Sequence, residues 1–432
     1  MVKWINLILL FISAFISGNA QDIGLLNMHG YLPATYLNPG IALEKKFNLS
    51  LAGINVLIGT DGPAINQITS RNSSGQRYLD VNKLDNNLEA YHNIFFENDI
   101  HTLDLSFKVG GLVLMTGHAF RSSGNFRYPK GLIQIAAQGN AAFTGQTIEI
   151  APFVDINAYN ELYLGLQNSF GPLTVGIKGK LLYGVANVTT EKARIGFSTN
   201  EEFYQLQFDT DYLVRSSALF RYNSLDSITF DYSGLSFDNF FYNNRGFAFD
   251  IGASLNLGDK LSLSVGAVDI GKINWDFSPR KYTSQGSFSF DGVDVLEYLG
   301  DSTSISISDT LIDLLEVKQV FENYSTSLKA TITLGATYTL NNVWSFNSLL
   351  LFQDNINSKR TTWSVSAVRK LSIFDLGLQY TVSKNNFSDI GLFAKINLGP
   401  VSAFASTNNI FGLLRPFDNK SAGVRLGAVL QL

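Results

Sequence analysis

The sequence predicts an all-β protein: a transmembrane, antiparallel, up-and-down β-barrel of about 14 strands, with an N-terminal hatch-like segment and long extracellular loops that contain short helices. Three observations predict it. Stretches of alternating apolar and polar residues recur along most of the chain. In Ser421–Leu432, for example, Val424, Leu426, Ala428, Leu430 and Leu432 alternate with Arg425, Gly427, Val429 and Gln431, and a strand turns the two sets to opposite faces. The connections between these stretches alternate short and long. Finally, 45% of residues are hydrophobic and 16% charged, against about a quarter charged in soluble domains, yet beyond the N-terminus no run of about 18 apolar residues exists to form a spanning helix.

The composition also narrows the function. A formal net charge of −4 argues against nucleic acid as a partner, because phosphate binding needs a clustered positive surface. The absence of cysteine excludes disulfide staples, thiolate metal sites and cysteine nucleophiles.

Residues 1–20 read as a cleaved signal peptide, with Lys3, the apolar core Ile5–Ile16 and the small-residue site Gly18-Asn19-Ala20. With no cysteine at the cleavage site, a lipoprotein is not expected. Residues 21–46 form the hatch or plug at the periplasmic mouth, since Pro33 and Pro39 forbid a paired interior strand. The barrel occupies residues 47–432. Its first strand is Phe47–Ile58, followed by a polar excursion, Gly59–Ile100, in which Val81–Phe96 has helical spacing. Thr102–Val109 and Leu112–Arg121 pair across Gly110-Gly111. A second excursion, Ser122–Ile156, carries a short helix at Pro129–Gln138. Tyr159–Phe170 and Leu173–Val188 follow, then the excursion Thr189–Arg245 with Phe237, Phe240, Phe241 and Tyr242. Gly246–Leu257 and Leu261–Ile270 precede a last insert, Gly271–Tyr324, with helical pieces at Val293–Leu299 and Thr310–Phe321. From Leu328 the strands run on almost without interruption to Leu432.

The turns at Gly110-Gly111, Gly171-Pro172, Gly258–Lys260, Asn341-Asn342, Leu371-Ser372 and Gly399-Pro400 are all short. With both termini periplasmic, every one falls on the periplasmic side and the long excursions fall outside, the asymmetry of outer-membrane barrels. Alternation sets Asp104, Lys108, Lys178, Lys180, Asp250, Lys329, Asp375, Lys395 and Arg425 on the lumen face, where each escapes the cost of about 2–4 kcal/mol for a charge on the lipid face near the midplane.

The hatch carries Asn38-Pro39-Gly40 just before the first strand. With the secreted leader and the strand count, this resembles the FadL-type family of long-chain fatty acid transporters, whose hatch holds an Asn-Pro-Ala motif. The phrases Leu37-Asn38-Pro39-Gly40-Ile41-Ala42 and Tyr128-Pro129-Lys130-Gly131 are similar to an uncharacterised family of Bacteroidota outer-membrane barrels. The resemblance implies a cell-outer-membrane location and one of two roles. One is binding or translocating a hydrophobic small molecule. The other is an accessory subunit of a secretion, gliding or assembly machine of the type IX kind, with protein partners. An open diffusion pore is the third reading, opposed by the hatch in the lumen. The partners expected are outer-membrane lipid and a hydrophobic ligand or protein.

No enzyme is expected. His29, His92, His101 and His118 show no metal-ligand spacing, and no nucleophile elbow, phosphate loop or calcium loop occurs. No cofactor or metal is therefore predicted.

Overall fold

The computed structural model describes residues 22–202, 204–218, 220–224, 227–230, 237–290, 315–355, 358–383 and 386–432. The leader and the helical piece at Val293–Leu299 lie outside them. Fourteen strands form the barrel: β1 (Phe47–Thr60), β2 (Tyr91–Val109), β3 (Leu112–Pro129), β4 (Phe153–Phe170), β5 (Leu173–Thr199), β6 (Arg245–Leu257), β7 (Leu261–Trp275), β8 (Thr331–Thr339), β9 (Trp344–Asn355), β10 (Ser358–Lys370), β11 (Phe374–Ser383), β12 (Asn386–Leu398), β13 (Val401–Thr407) and β14 (Ser421–Gln431). Each pairs antiparallel with the next, and β14 closes on β1, with Leu49 opposite Leu430 and Val56 opposite Val424. Closure leaves no free edge in the barrel wall, the condition for strands to cross a bilayer.

The turns that read as short all lie at one end, together with Leu432, whose amide and carbonyl exchange hydrogen bonds with Phe47. Gly110, Gly171, Gly258 and Gly399 open four of these turns with φ between 61° and 67°, a left-handed conformation that glycine adopts without penalty. This is the turn end; the opposite, loop end carries the long insertions.

The outward face is an apolar belt. Leu164 is 73% exposed, Leu378 58% and Phe247 56%, which is sustainable where the surrounding medium is hydrocarbon rather than water. Many inward positions are polar, and Asp104, Lys178, Lys180, Asp250 and Arg425 are buried. Outward cations sit at the strand ends: Arg369 beside the turn end, Arg245 and Lys272 toward the loop end.

Several strands run further than alternation indicates. Tyr91–Phe96, whose spacing reads as helical, is the upper part of β2; only Val81–Asn87 is helix, started by the Asp80 carboxylate accepting from the Asn82 and Lys83 amides. β3 continues to Pro129 and β5 to Thr199. Above the barrel, upper β5 pairs with Leu206–Ala218, which pairs with Arg280–Phe290. Lys318–Val320 adds to Arg280–Phe290 as a strand, so that part of the expected helix at Thr310–Phe321 is extended; residues 310–314 lie outside the described residues. The run expected from Leu328 is broken. Tyr324–Ser327 pairs with upper β7, and Leu328 packs inward against Trp275 and its neighbours instead of outward.

Candidate functional site: a plug docked in the lumen

Residues 22–46 lie inside the barrel near the turn end as two short 3-10 helices, Asp22–Asn27 and Leu32–Tyr36, and a linking turn. Pro33, near the first position of the second helix, costs no internal hydrogen bond there. The segment has two unlike sides. Its apolar side packs Leu25, Met28, Ala34, Leu37 and Ile41 against Leu349, Phe393, Phe404 and Val429, from β9, β12, β13 and β14. Its other side meets β4–β7 mainly through hydrogen bonds, with Leu32 and Leu43 packed against Val113, Met115 and Tyr163 of β3 and β4.

That polar side is organised around Asn38-Pro39-Gly40. The Asn38 Oδ1 accepts from the Gly40 amide (2.8 Å), closing an Asx turn, and its Nδ2 donates to the Ala253 carbonyl (3.2 Å). Gln167 Nε2 donates to the carbonyls of Pro39 (2.7 Å) and Ile41 (2.8 Å), and Ser254 Oγ to that of Gly40 (2.7 Å). The wall beneath is glycine. A Cβ at Gly176 would stand 2.0 Å from the Pro39 oxygen, one at Gly252 1.9 Å from Asn38 Oδ1, and one at Gly266 2.8 Å from the Leu37 oxygen. Three adjacent strands thus give up a side chain so that the turn can lie on bare backbone.

Above the turn, Tyr36 stacks on His101 with ring centroids 3.8 Å apart and planes 6° from parallel. Its hydroxyl donates to Asp104 Oδ2 (2.6 Å), while Tyr163 donates to Oδ1 (2.7 Å) and His101 Nδ1 lies 3.2 Å away. Burial first, and the Asp104 carboxylate second, hold the Tyr36 hydroxyl protonated well above its ordinary range. Lys178 Nζ donates to the Thr35 carbonyl (2.9 Å) and hydroxyl (3.1 Å) and lies 4.5 Å from the Tyr163 ring centroid. At the turn end, Lys395 pairs with Asp375 (2.8 Å) and sits 3.8 Å over the Tyr31 ring. Thr337 Oγ1 meets His29 Nε2 at 2.5 Å; burial first and Lys370 second lower the His29 imidazole to about 4.

Next to the plug runs a buried belt of charge. Lys180 Nζ lies 2.6 Å from Asp269, 2.9 Å from Asp250 and 3.4 Å from Glu161. Arg121 reaches Asp99 and Asp269, both at 2.8 Å, and Glu161 at 3.4 Å; Arg425 lies 3.8 Å from Asp99. Mutual pairing makes so many buried charges tolerable. Asp269 joins from a bulge, at φ 61°, where its amide donates to Asp250 Oδ1 (2.8 Å). A cavity of about 70 Å³ separates Tyr36 and Leu37 from this belt and from Leu328, Lys329 and Leu351. Higher still, Tyr159, Leu182, Ala248, Ile273 and Trp275 form an apolar lumen patch joined by Tyr324 and Leu328.

The structure therefore brings Asn38, Pro39, Gly40, Asp104, Lys178, Lys180, Asp250, Asp375, Lys395 and Arg425 to the plug or the belt. Lys329 lines the cavity, half-buried, and Lys108 sits exposed at the turn-end rim, apart from both. Asp99, Arg121, Glu161 and Asp269 complete the belt and were not singled out from sequence. His118 faces outward, its ring nitrogens on Thr102 and Asn160, with Phe241 packed over it. Among the described residues, no group of three or more His, Asp or Glu side chains is placed to hold a metal ion.

The fold is similar to those of several solved barrels. The Pseudomonas putida toluene transporter TodX aligns at TM-score 0.43 and 9% identity, covering 92% of this chain and 92% of its own. The Ralstonia pickettii toluene transporter TbuX aligns at 0.46 and 8%, covering 93% of each chain. A Pseudomonas aeruginosa FadL homologue aligns at 0.31 and 10%, covering 96% of this chain and 99% of its own. No curated protein matches the chain. A family model does, over residues 39–408, from the Asn38-Pro39-Gly40 turn to the end of β13, so the chain belongs to the family of unknown function DUF5723.

Proposed function

We propose that the protein is a gated channel of the outer membrane for hydrophobic small molecules, with the turn end in the periplasm and residues 22–46 as the gate. The observation that carries this reading is the two-sidedness of the plug. Its β4–β7 side is anchored mainly by directional hydrogen bonds of 2.7–3.2 Å. Its β9 and β12–β14 side is held mainly by apolar contact, with longer hydrogen bonds from Tyr31 to Asn397 (3.3 Å), Asn347 to Asn27 (3.1 Å) and Gln431 to the Gly30 carbonyl (3.3 Å). Dispersion and burial have no preferred geometry, so this seam can part while the anchors persist. The slot opened would be lined by Leu25, Met28, Leu37 and Ile41 on the plug and Leu349, Phe393, Phe404 and Val429 on the wall.

An apolar molecule traversing such a slot replaces one set of apolar contacts with another. An ion or sugar would find few partners along its apolar stretch and would lose its water. The aromatic patch around Trp275 and Tyr324 supplies a matching apolar surface toward the loop end. The belt takes no part in transfer; it stiffens the anchoring wall.

Deleting residues 22–42 should raise flux of a hydrophobic dye through reconstituted protein well above that of a sugar of similar size. Equal flux with and without the deletion would sink the reading. A second reading, an accessory subunit of an envelope machine, is favoured by the sheet that upper β5, Leu206–Ala218 and Arg280–Phe290 raise above the barrel. Stoichiometric protein partners in a gentle extraction would support it.

A further inference from the structure

The lipid-facing wall contains a hollow. Across β7–β11, near the turn end, a groove of about 500 Å³ is lined mainly by apolar atoms, a size in the range of ligand pockets, about 300–1,000 Å³. Its floor comes from small outward residues set side by side. Ala336 is opposite Ser348, and Ala367 lies one row nearer the turn end, opposite Phe346 and Leu378. Tyr338, Phe346 and Tyr380 rise around that floor, each 42% exposed. The Ser348 hydroxyl does not spoil the apolar lining, because it accepts from the Trp363 indole (3.1 Å).

One residue pair turns this hollow into more than a gap between side chains. Two positions along β10 from Ala367, on the same outward face, stands Arg369, with its guanidinium 5.6 Å from the ring centroid of Trp344 opposite it. An arginine stacked on a tryptophan at the end of a transmembrane strand lies at headgroup depth, where aromatic belts form. Arginine presents a planar fork of donors that suits phosphate.

We infer that the hollow and Arg369 form a binding site for one glycerophospholipid of the leaflet at the turn end. An acyl chain fills the groove over Ala336, Ser348 and Ala367, and the phosphate lies on Arg369. The site is independent of the gating reading, since it lies on the opposite face of the wall from the plug.

The test uses purified barrel in mixed micelles with palmitoyl-oleoyl phosphatidylglycerol, followed by detergent exchange and native mass spectrometry. Wild-type protein should retain one lipid per chain. Ala367→Phe, which fills the groove, should lower retention at least tenfold, and Arg369→Gln should lower it severalfold. Both positions face lipid, and heat-modifiable migration on gels reports that the barrel remains folded; Ala336→Phe serves if Ala367→Phe does not fold. Retention unchanged in the groove-filling variant, or insensitive to Arg369→Gln, would overturn the site. So would a dimer in wild type that Ala367→Phe converts to monomer at constant lipid retention, which would assign the groove to a second copy of the chain.

Discussion

Replacing Gly176 by alanine should loosen the plug without touching it. The new Cβ would stand 2.0 Å from the Pro39 oxygen and 2.4 Å from its carbonyl carbon, so the turn must retreat by about 1 Å to restore ordinary contact. Overpacking of this kind costs about 1–3 kcal/mol. Retreat also stretches the Gln167–Pro39 and Ser254–Gly40 hydrogen bonds, both 2.7 Å, each contributing about 1 kcal/mol. Together the docked state loses about 3–5 kcal/mol, and at about 1.4 kcal/mol per factor of ten the undocked population rises at least about a hundredfold. The chain has no cysteine, so Ala34→Cys, at a position 1% exposed, gives a single reporter. Labelling by a water-soluble maleimide should be about a hundredfold faster when Gly176→Ala is added, with the barrel still heat-modifiable. Equal labelling rates in the two folded proteins would refute the reasoning.

The same reporter serves further predictions. Tyr36→Phe removes a 2.6 Å charge-assisted bond to Asp104 and should weaken docking by about 1.5–3 kcal/mol, read as faster labelling. Acid should also loosen the plug. The docked His29 imidazole titrates at about 4 against 6.5 when free, so docking is full above pH 6.5 and weakens as pH falls from 6.5 toward 4. The ceiling is about 3 kcal/mol, less for an imidazole that is only half-buried; His29→Gln should flatten this profile. Lys180→Met leaves buried Asp250 without its ion-pair partner, and Asp269 and Glu161 with Arg121 alone; it should destabilise the barrel by about 3–5 kcal/mol, measured as a lower denaturation midpoint in detergent. Trp275→Ala should cost about 3–5 kcal/mol and widen the lumen patch, raising flux of larger hydrophobic dyes relative to small ones.

Much of the architecture was legible because a bilayer enforces contrast. Within the apolar belt every second residue must be apolar, so strands such as β5 and β11 announce themselves. Above the belt that constraint ends: Glu97, Asn98, Ser122 and Ser123 alternate nothing, and upper β2 and β3 therefore read as loop. Bulges hid members of the charge belt. The register shift at His101/Leu103 changes parity between Asp104 and Asp99, and the irregularity beside Ile270 turns Asp269 inward against the pattern of its strand. Gly176, Gly252 and Gly266 are far apart in sequence, and only the register of β5, β6 and β7 sets them side by side beneath the plug. That residues 22–46 form no barrel strand was legible from Pro33 and Pro39; their contacts with the wall were not.

The central claim, that residues 22–46 must move for a hydrophobic molecule to pass, is tested most directly by tying the plug down. A Cβ at Gly24 of the plug lies 2.9 Å from the Ser406 Cβ of β13, across the seam proposed to part, so a shift of about 1 Å gives Gly24→Cys/Ser406→Cys disulfide geometry. Flux of a hydrophobic dye through the reconstituted double variant should be lost on oxidation and return on reduction. Flux that is the same oxidised and reduced, with the crosslink verified by mass, would contradict the account.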